Sequence, residues 1–234
     1  MTRKFTMVTG PAAPLLLDDV NTDLIIPIEH CVSTPRAKFG SIAFEAIRFR
    51  PDGSENPDFV LNRKPYRGSP ILIAGSNFGC GSSREPAVVA LDQMGIRAII
   101  ARSFGEIFFA NCLRNGLLPI ALPPVPYDNL IALLRGEQPV ILTVDLERCA
   151  IVAPDGATIP FEIDPSRRQA LLEGLDQLGQ TLLSLDDIAA FQQQDRIKRP
   201  WVWEAVFERQ SNDPLVPAKS RTRREEPGFP LSRE

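Results

Sequence analysis

The residues whose types and spacing point to chemistry lie between 71 and 91, in the stretch ILIAGSNFGCGSSREPAVVAL. Ser82, Ser83 and Arg84 follow a run broken by Gly75, Gly79 and Gly81. Glycine permits sharp backbone angles and lets a ligand approach the main chain closely. Ser82 and Ser83 are helix N-cap types, and Glu85 stands three residues after Ser82, the capping-box spacing. A turn of this kind aims unpaired amides at one spot, and the helix macrodipole adds to their preference for a carboxylate or phosphate. Arg84 supplies a bidentate partner for a carboxylate. On these residues alone two readings stand side by side: helix caps worth roughly 1 kcal/mol, or members of an anion site.

The flanking sequence says what must hold them. Ile71, Leu72, Ile73 and Ala74 form a short apolar run of the kind buried on both faces of a sheet. Residues 85 to 94 carry a helical stripe in Ala87, Val88, Ala90 and Leu91, with Gly95 as its stop. IRAIIAR, residues 96 to 102, predicts a strand, Ser103 a cap for the helix FGEIFFANCLRN, and Gly116 its end before the strand LLPIAL. This β-α-β-α-β recurrence predicts an α/β fold with a largely parallel sheet under helical cover.

The remaining segments read less sharply. KFTMVTGPAAPL, residues 4 to 15, predicts a short strand giving way to a Gly-Pro turn. In DVNTDLIIPI, residues 19 to 28, Asn21, Thr22 and Asp23 predict an Asx turn leading into a strand, or alternatively an Asp23 that holds another site residue in position. HCVSTPRAKFGSIAFE, residues 30 to 45, predicts a loop bearing Ser33, Thr34 and Arg36 before a short helix, and residues 51 to 70 a long irregular connection. Downstream, residues 126 to 135 offer a short helix. Residues 139 to 163 predict a hairpin around a Pro-Asp-Gly turn, and residues 166 to 198 two amphipathic helical segments divided near Gly179. Trp201, Trp203 and Phe207 are expected to pack on the core or on another protein. From Ser211 the polar, proline-rich sequence predicts a mobile tail.

Composition narrows the class. The chain has 234 residues, 44% hydrophobic and 24% charged, with a formal net charge of −3. That suits one globular domain with appendages. The one basic cluster, Arg221, Arg223 and Arg224, runs into Glu225 and Glu226, so nucleic acid is not an expected partner. Arg3 and Lys4 precede an apolar patch, but Gly10, Pro11 and Pro14 interrupt it, so neither signal peptide nor membrane span is expected and the cytoplasm is the expected location. Cys31, Cys80, Cys112 and Cys149 lie far apart without a CxxC pair, which argues against an autonomous zinc or iron–sulfur site and for no metal on this chain. Cys112 and Cys149 read as ordinary reduced, buried thiols. His30 is the single histidine, so any Cys–His or Ser–His pair with Cys80 or Ser82 would depend on it.

KFTMVTGPAAPL, DVNTDLIIP, PDFVLN, NFGCGSSRE and IRAIIARSFGEIFFANCLRNGLLPI occur in an order that resembles the small subunits of 3-isopropylmalate dehydratase, within the aconitase superfamily. The resemblance covers roughly residues 4 to 200. It implies a swivelling β/β/α domain over residues 1–200 with a C-terminal extension over 201–234. The implied partner is a separate large subunit, forming a heterodimer and carrying a 4Fe-4S cluster on its own cysteines. The implied reaction interconverts 2- and 3-isopropylmalate through isopropylmaleate in leucine biosynthesis. Iron binds the substrate hydroxyl as a Lewis acid while a base takes a proton from the adjacent carbon.

By the same resemblance Ser82 is that base, acting as an alkoxide, and Arg84 binds a substrate carboxylate. Ser83, Thr34, Arg36 and Asp23 complete the expected contacts to a small dicarboxylate, with the segment from Cys31 to Arg36 facing its alkyl end. Two positions depart from the pattern. Pro86 stands where the family usually has histidine, and Asn21 of DVNTD where it usually has aspartate. With Ser82 as cap, Pro86 would remove an intrahelical bond unless the helix begins later. The departures leave open a sister hydro-lyase acting on a citraconate-, dimethylmalate- or homoaconitate-type acid, and a non-catalytic paralogue.

Overall fold

A computed structural model describes residues 2 to 82, 84 to 136 and 138 to 203. It divides into two compact units at Leu182 and Leu183. The first contains a seven-stranded mixed sheet, ordered β4-β3-β2-β1-β5-β6-β7. These strands are β1 (Met7–Leu15), β2 (Ile71–Ala74), β3 (Ala98–Ala101), β4 (Leu118–Ala121), β5 (Ile141–Asp145), β6 (Ala150–Val152) and β7 (Thr158–Pro160). β1 to β4 pair in parallel, and β5 to β7 continue the sheet antiparallel from the other edge of β1.

The period-two pattern of the central strands creates two cores. Leu72, Ala74, Ile99 and Ala101 face one layer, while Ile71, Ile73, Ala98 and Ile100 face the other. The first layer is closed by Ala87, Val88, Ala90 and Leu91 of α5 (Glu85–Gln93) and by Phe108 and Cys112 of α6 (Glu106–Arg114). The second is closed by Tyr127 and Leu130 of α7 (Pro124–Leu133) and Leu171 of α8 (Pro165–Glu173). The α/β fold class expected from the sequence is therefore observed.

Several local expectations are corrected. β1 runs straight through Gly10-Pro11 instead of turning. Its two prolines sit where a missing N–H costs no ladder bond. Ala12 donates to Val140 O (2.9 Å), and alternation puts the imide nitrogen of Pro14 on that same side, beyond the end of β5. The nitrogen of Pro11 faces the other side, before β2 begins opposite Ala12. The segment from 22 to 38 is neither strand nor loop but short helical turns, α1 (Thr22–Ile25), α2 (Ile28–Ser33) and a 3-10 turn at Arg36–Lys38, while the short helix expected after them is present as α3 (Phe39–Ile42) and α4 (Glu45–Arg48). Leu24 and Ile25 are helical because Asn21 caps α1, its Oδ1 accepting from Leu24 N at 2.7 Å, and the chain turns extended again at Ile26. Residues 139 to 163 form three strands, because Cys149 adopts a left-handed φ of +52° and adds a second reversal.

The division near Gly179 falls instead at Gly174, which takes a φ of +69° after α8, and Gly179 lies inside α9 (Gln177–Leu182). In the second unit, α10 (Leu185–Lys198) buries Asp195, which accepts from Arg199 Nε (2.6 Å) and Trp203 Nε1 (3.1 Å). These bonds hold the Asp195 carboxyl below its usual range, Arg199 contributing most. Phe207 and the tail expected from Ser211 lie outside the described residues, as does most of the extension expected from residue 201. Among the described residues no helix is long and apolar enough to cross a membrane.

Candidate functional site

The segments leaving the C-terminal ends of β1, β2 and β3 meet in one polar cluster. Gly75 N donates to Leu17 O (3.2 Å), Gly79 N to Val20 O (2.7 Å) and Phe78 N to Ser103 O (3.0 Å). Isolated bridges join Asn21 to Cys80 and Phe78 to Phe104. Below the turn, Phe78 is fully buried and meets Phe108 edge-on with ring centroids 5.6 Å apart. Gly79 takes a φ of +75°, and a Cβ there would collide with the Phe108 ring, so only glycine brings the backbone this close. Gly105 is equally constrained: its Cβ would lie 2.5 Å from Gly79 O.

Ser82 rides on this support with its side chain exposed. Its backbone is fixed by a buried partner, since Thr22 Oγ1 donates to Ser82 O at 2.6 Å and Thr22 is wholly inaccessible. Arg84 extends over α1. Its Nη1 donates to Asp23 Oδ1 and, at 3.4 Å, to Ile26 O. The Arg84 side chain is 15% exposed and that of Asp23 52%. Nε and Nη2 of Arg84 have no acceptor among the described residues, which leaves three N–H groups for a carboxylate.

The helix start differs from expectation. Arg84, not Ser82, is the N-cap of α5, and it makes no side-chain capping bond. Pro86 therefore occupies the second helical position, where a missing N–H costs nothing. Ala87 N bonds back to Arg84 O at 3.1 Å. The first turn thus offers fewer free amides than the capping-box reading supposed. Ser103 is likewise not a helix cap: Gly105 caps α6, and Ser103 Oγ accepts from Asn77 N at 2.8 Å.

The other expected residues are distributed around this point. Arg36 Nη2 donates to Glu85 Oε1 at 2.8 Å, which ties it to the start of α5. Gln93 strengthens the tie, donating to Arg36 O (2.9 Å) and accepting from Gly40 N (2.8 Å). Thr34 lies at the end of α2, its Oγ1 3.3 Å from His30 Nδ1, while His30 Nε2 is 2.6 Å from Glu45 Oε2. The ring nitrogens of His30 are thus engaged by Thr34 and Glu45, not by Cys80 or Ser82. Ser83 lies outside the described residues. Sequence reasoning gave no role to Glu45, and it noted Thr22 only within the polar trio, because contacts across 15 and 60 residues leave no local pattern.

The four cysteines do not come together in one place. All four are free thiols. Cys112 is sealed in the core, where burial pushes its thiol well above the usual range. Cys31 and Cys149 donate to Pro27 O and Leu146 O. Among the described residues no three of His, Cys, Asp and Glu come together in a way that could hold a metal.

Comparison with known proteins gives a consistent result. The Aconitase C-terminal domain profile matches residues 2–125, and the LeuD_N profile matches residues 128–165. A protein of Paramagnetospirillum magneticum named 3-isopropylmalate dehydratase small subunit is 49% identical over 199 residues, 85% of this chain and 99% of its own. Its namesake in Gluconacetobacter diazotrophicus is 50% identical over 205 residues, 88% of this chain and 99% of its own. Among solved structures, 3-isopropylmalate dehydratase (leuD) of Methanocaldococcus jannaschii aligns with a TM-score of 0.56 at 28% identity, over 81% of this chain and 99% of that one.

Proposed function

The chain belongs to the 3-isopropylmalate dehydratase small-subunit family, and we propose that Ser82 and Arg84 are its contribution to the hydro-lyase active site. As a small subunit of 3-isopropylmalate dehydratase it works in leucine biosynthesis, with a large subunit as partner. The observation that carries the assignment of residues is the fixed geometry of Arg84. Asp23 and Ile26 O hold one edge of the guanidinium and leave the other edge to a ligand, two residues from an exposed serine whose backbone Thr22 clamps.

In this reading the dicarboxylate lies across Arg84, whose free N–H groups take one carboxylate in bidentate fashion. Ser82 Oγ, as the alkoxide, takes the proton from the carbon next to the hydroxyl-bearing one and becomes the neutral hydroxyl. The C–H electron pair becomes the new double bond, and the hydroxyl leaves the neighbouring carbon as hydroxide, for which the large subunit's cluster, when bound, would supply the Lewis acid. Rehydration at the other carbon returns the Ser82 proton by the reverse path. Asp23 acts through Arg84, setting its orientation, while Thr34, Arg36 and Ser83 are assigned to the far end of the substrate.

The 4Fe-4S cluster is assigned to the large subunit, consistent with thiols here that are dispersed, buried or bonded to carbonyls. The heterodimer is assigned to the cytoplasm, where four unpaired thiols stay reduced.

The test is co-expression with the large subunit, anaerobic cluster reconstitution, and hydration assays on a panel of 2-substituted maleates. Selective turnover of isopropylmaleate supports the reading. Preference for methyl- or dimethyl-substituted acids moves the chain to a sister hydro-lyase, and silence from a stable, cluster-loaded complex overturns it.

A further inference from the structure

The chain's only histidine lies outside the machinery just described, yet it joins two elements next to it. Helix α2 buries none of its six residues, and Val32 is 88% exposed. Only Cys31 reaches the core, packing against it in part. The other side-chain bonds of α2 are internal: Cys31 Sγ to Pro27 O and Ser33 Oγ to Glu29 O. Hydrophobic packing therefore does little to fix where α2 ends, and α2 ends at Thr34.

His30 supplies the missing restraint. Its Nε2 sits 2.6 Å from Glu45 Oε2 on α4, and its Nδ1 sits 3.3 Å from Thr34 Oγ1. An ionised carboxylate only accepts, so Nε2 carries the proton toward Glu45. In the neutral ring Nδ1 is then left to accept from the Thr34 hydroxyl. α4 is itself well anchored, since Phe44 at its start is fully buried and donates to Ile25 O at 2.9 Å, and Arg48 Nη1 donates to Gly40 O at 2.9 Å. Both partners of the His30–Glu45 pair are substantially exposed, at 28% and 48%, so the pair adds little to global stability. What it does supply is a link from Thr34 through His30 to Glu45 on α4.

We infer that His30 is a positioning residue that braces Thr34 against α4 and thereby tunes how the enzyme grips the alkyl end of its substrate. This inference rests on the functional reading above. Arg36 is pinned separately to Glu85 and Gln93, so the His30 brace governs the α2 side of the loop alone. A merely structural surface pair would alter stability without altering substrate preference.

The test uses the cluster-loaded heterodimer and steady-state hydration of isopropylmaleate and methylmaleate. His30→Phe, which keeps a flat ring and removes both bonds, is expected to raise KM for isopropylmaleate about tenfold, because Thr34 loses its fixed position against the substrate. Its kcat should stay within about twofold, since the proton-transfer residues are untouched, and the ratio of kcat/KM between the two substrates should shift. Glu45→Gln keeps an acceptor for Nε2 and is expected to leave the KM near the wild-type value. Glu45→Ala removes the brace while leaving the histidine, so it must reproduce the KM increase even if His30→Phe fails to assemble. An unchanged KM and substrate ratio in both brace-removing variants, beside an active wild type, would overturn the inference alone. A wild-type complex that hydrates neither substrate would overturn the functional reading on which it rests.

Discussion

Arg84 donates to the carboxylate of Asp23 across 61 residues of sequence, and this pair joins the first helical turn after β1 to the segment leaving β2. The link fixes a cation beside Ser82 without occupying all its donors. Asp23→Asn keeps an acceptor but removes the charge, so Arg84 is expected to lose orientation with the fold intact. The expected loss in kcat/KM is about 10- to 100-fold, the range for one charge-assisted hydrogen bond. Steady-state kinetics of the heterodimer, beside an unchanged circular dichroism spectrum, checks it.

Thr22 holds the Ser82 carbonyl from a fully buried position. Thr22→Val preserves shape and removes the donor. It is expected to cost about 1–3 kcal/mol of stability, because the carbonyl loses its buried partner, and to lower kcat more than it raises KM. Urea unfolding of the isolated chain and kinetics of the complex measure the two effects separately.

Much of this arrangement was legible in the sequence, and the exceptions have physical causes. β2, β3 and β4 announce themselves because each is a short apolar run buried on both faces, and Gly95 and Gly116 mark helix ends with left-handed φ values of +95° and +76°. β1 was missed at Gly10-Pro11 because the tolerance of a proline depends on where neighbouring strands end, which local sequence does not record. The helical turn at Thr22–Ile25 is not legible, because Leu24, Ile25 and Ile26 form an apolar run too short to separate strand from helix, whereas the short helix around residues 41 to 48 is. Ser82 and Arg84 stood out through glycine spacing and residue type. Glu45 and the clamping role of Thr22 did not, since each acts through a partner far along the chain.

Pro86 stands in the first turn of α5 without displacing a hydrogen bond. Pro86→His, which restores the residue usual in the family, is therefore expected to change stability by less than about 1 kcal/mol and activity by no more than about twofold. Thermal unfolding and kcat/KM of the variant check this. A large gain in activity would show that the proline limits the enzyme.

Gly79 is expected to tolerate no side chain. Gly79→Ala combines a φ of +75° with a collision against Phe108, and it should destabilise by about 2–4 kcal/mol. The urea midpoint of the isolated chain reads this directly, with Gly53→Ala, at a positive φ but in open space, as the milder comparison.

Burial raises the Cys112 thiol, so its neutral form persists to higher pH in the folded state than in the unfolded chain. At a pH near that of an ordinary thiol, a small alkylating reagent should label the partly exposed Cys31, Cys80 and Cys149 and spare Cys112 until the chain unfolds. Mass spectrometry of peptides from native and urea-treated protein gives the answer.

If Ser82 is the base, its removal must stop the chemistry without disturbing assembly. The most direct measurement is hydration of isopropylmaleate by the reconstituted heterodimer carrying Ser82→Ala, beside wild type with equal cluster content. A fall in kcat of about 10²- to 10⁴-fold is expected, the usual contribution of a positioned acid–base group, with assembly unchanged. A Ser82→Ala heterodimer that turns over at the wild-type rate would contradict it.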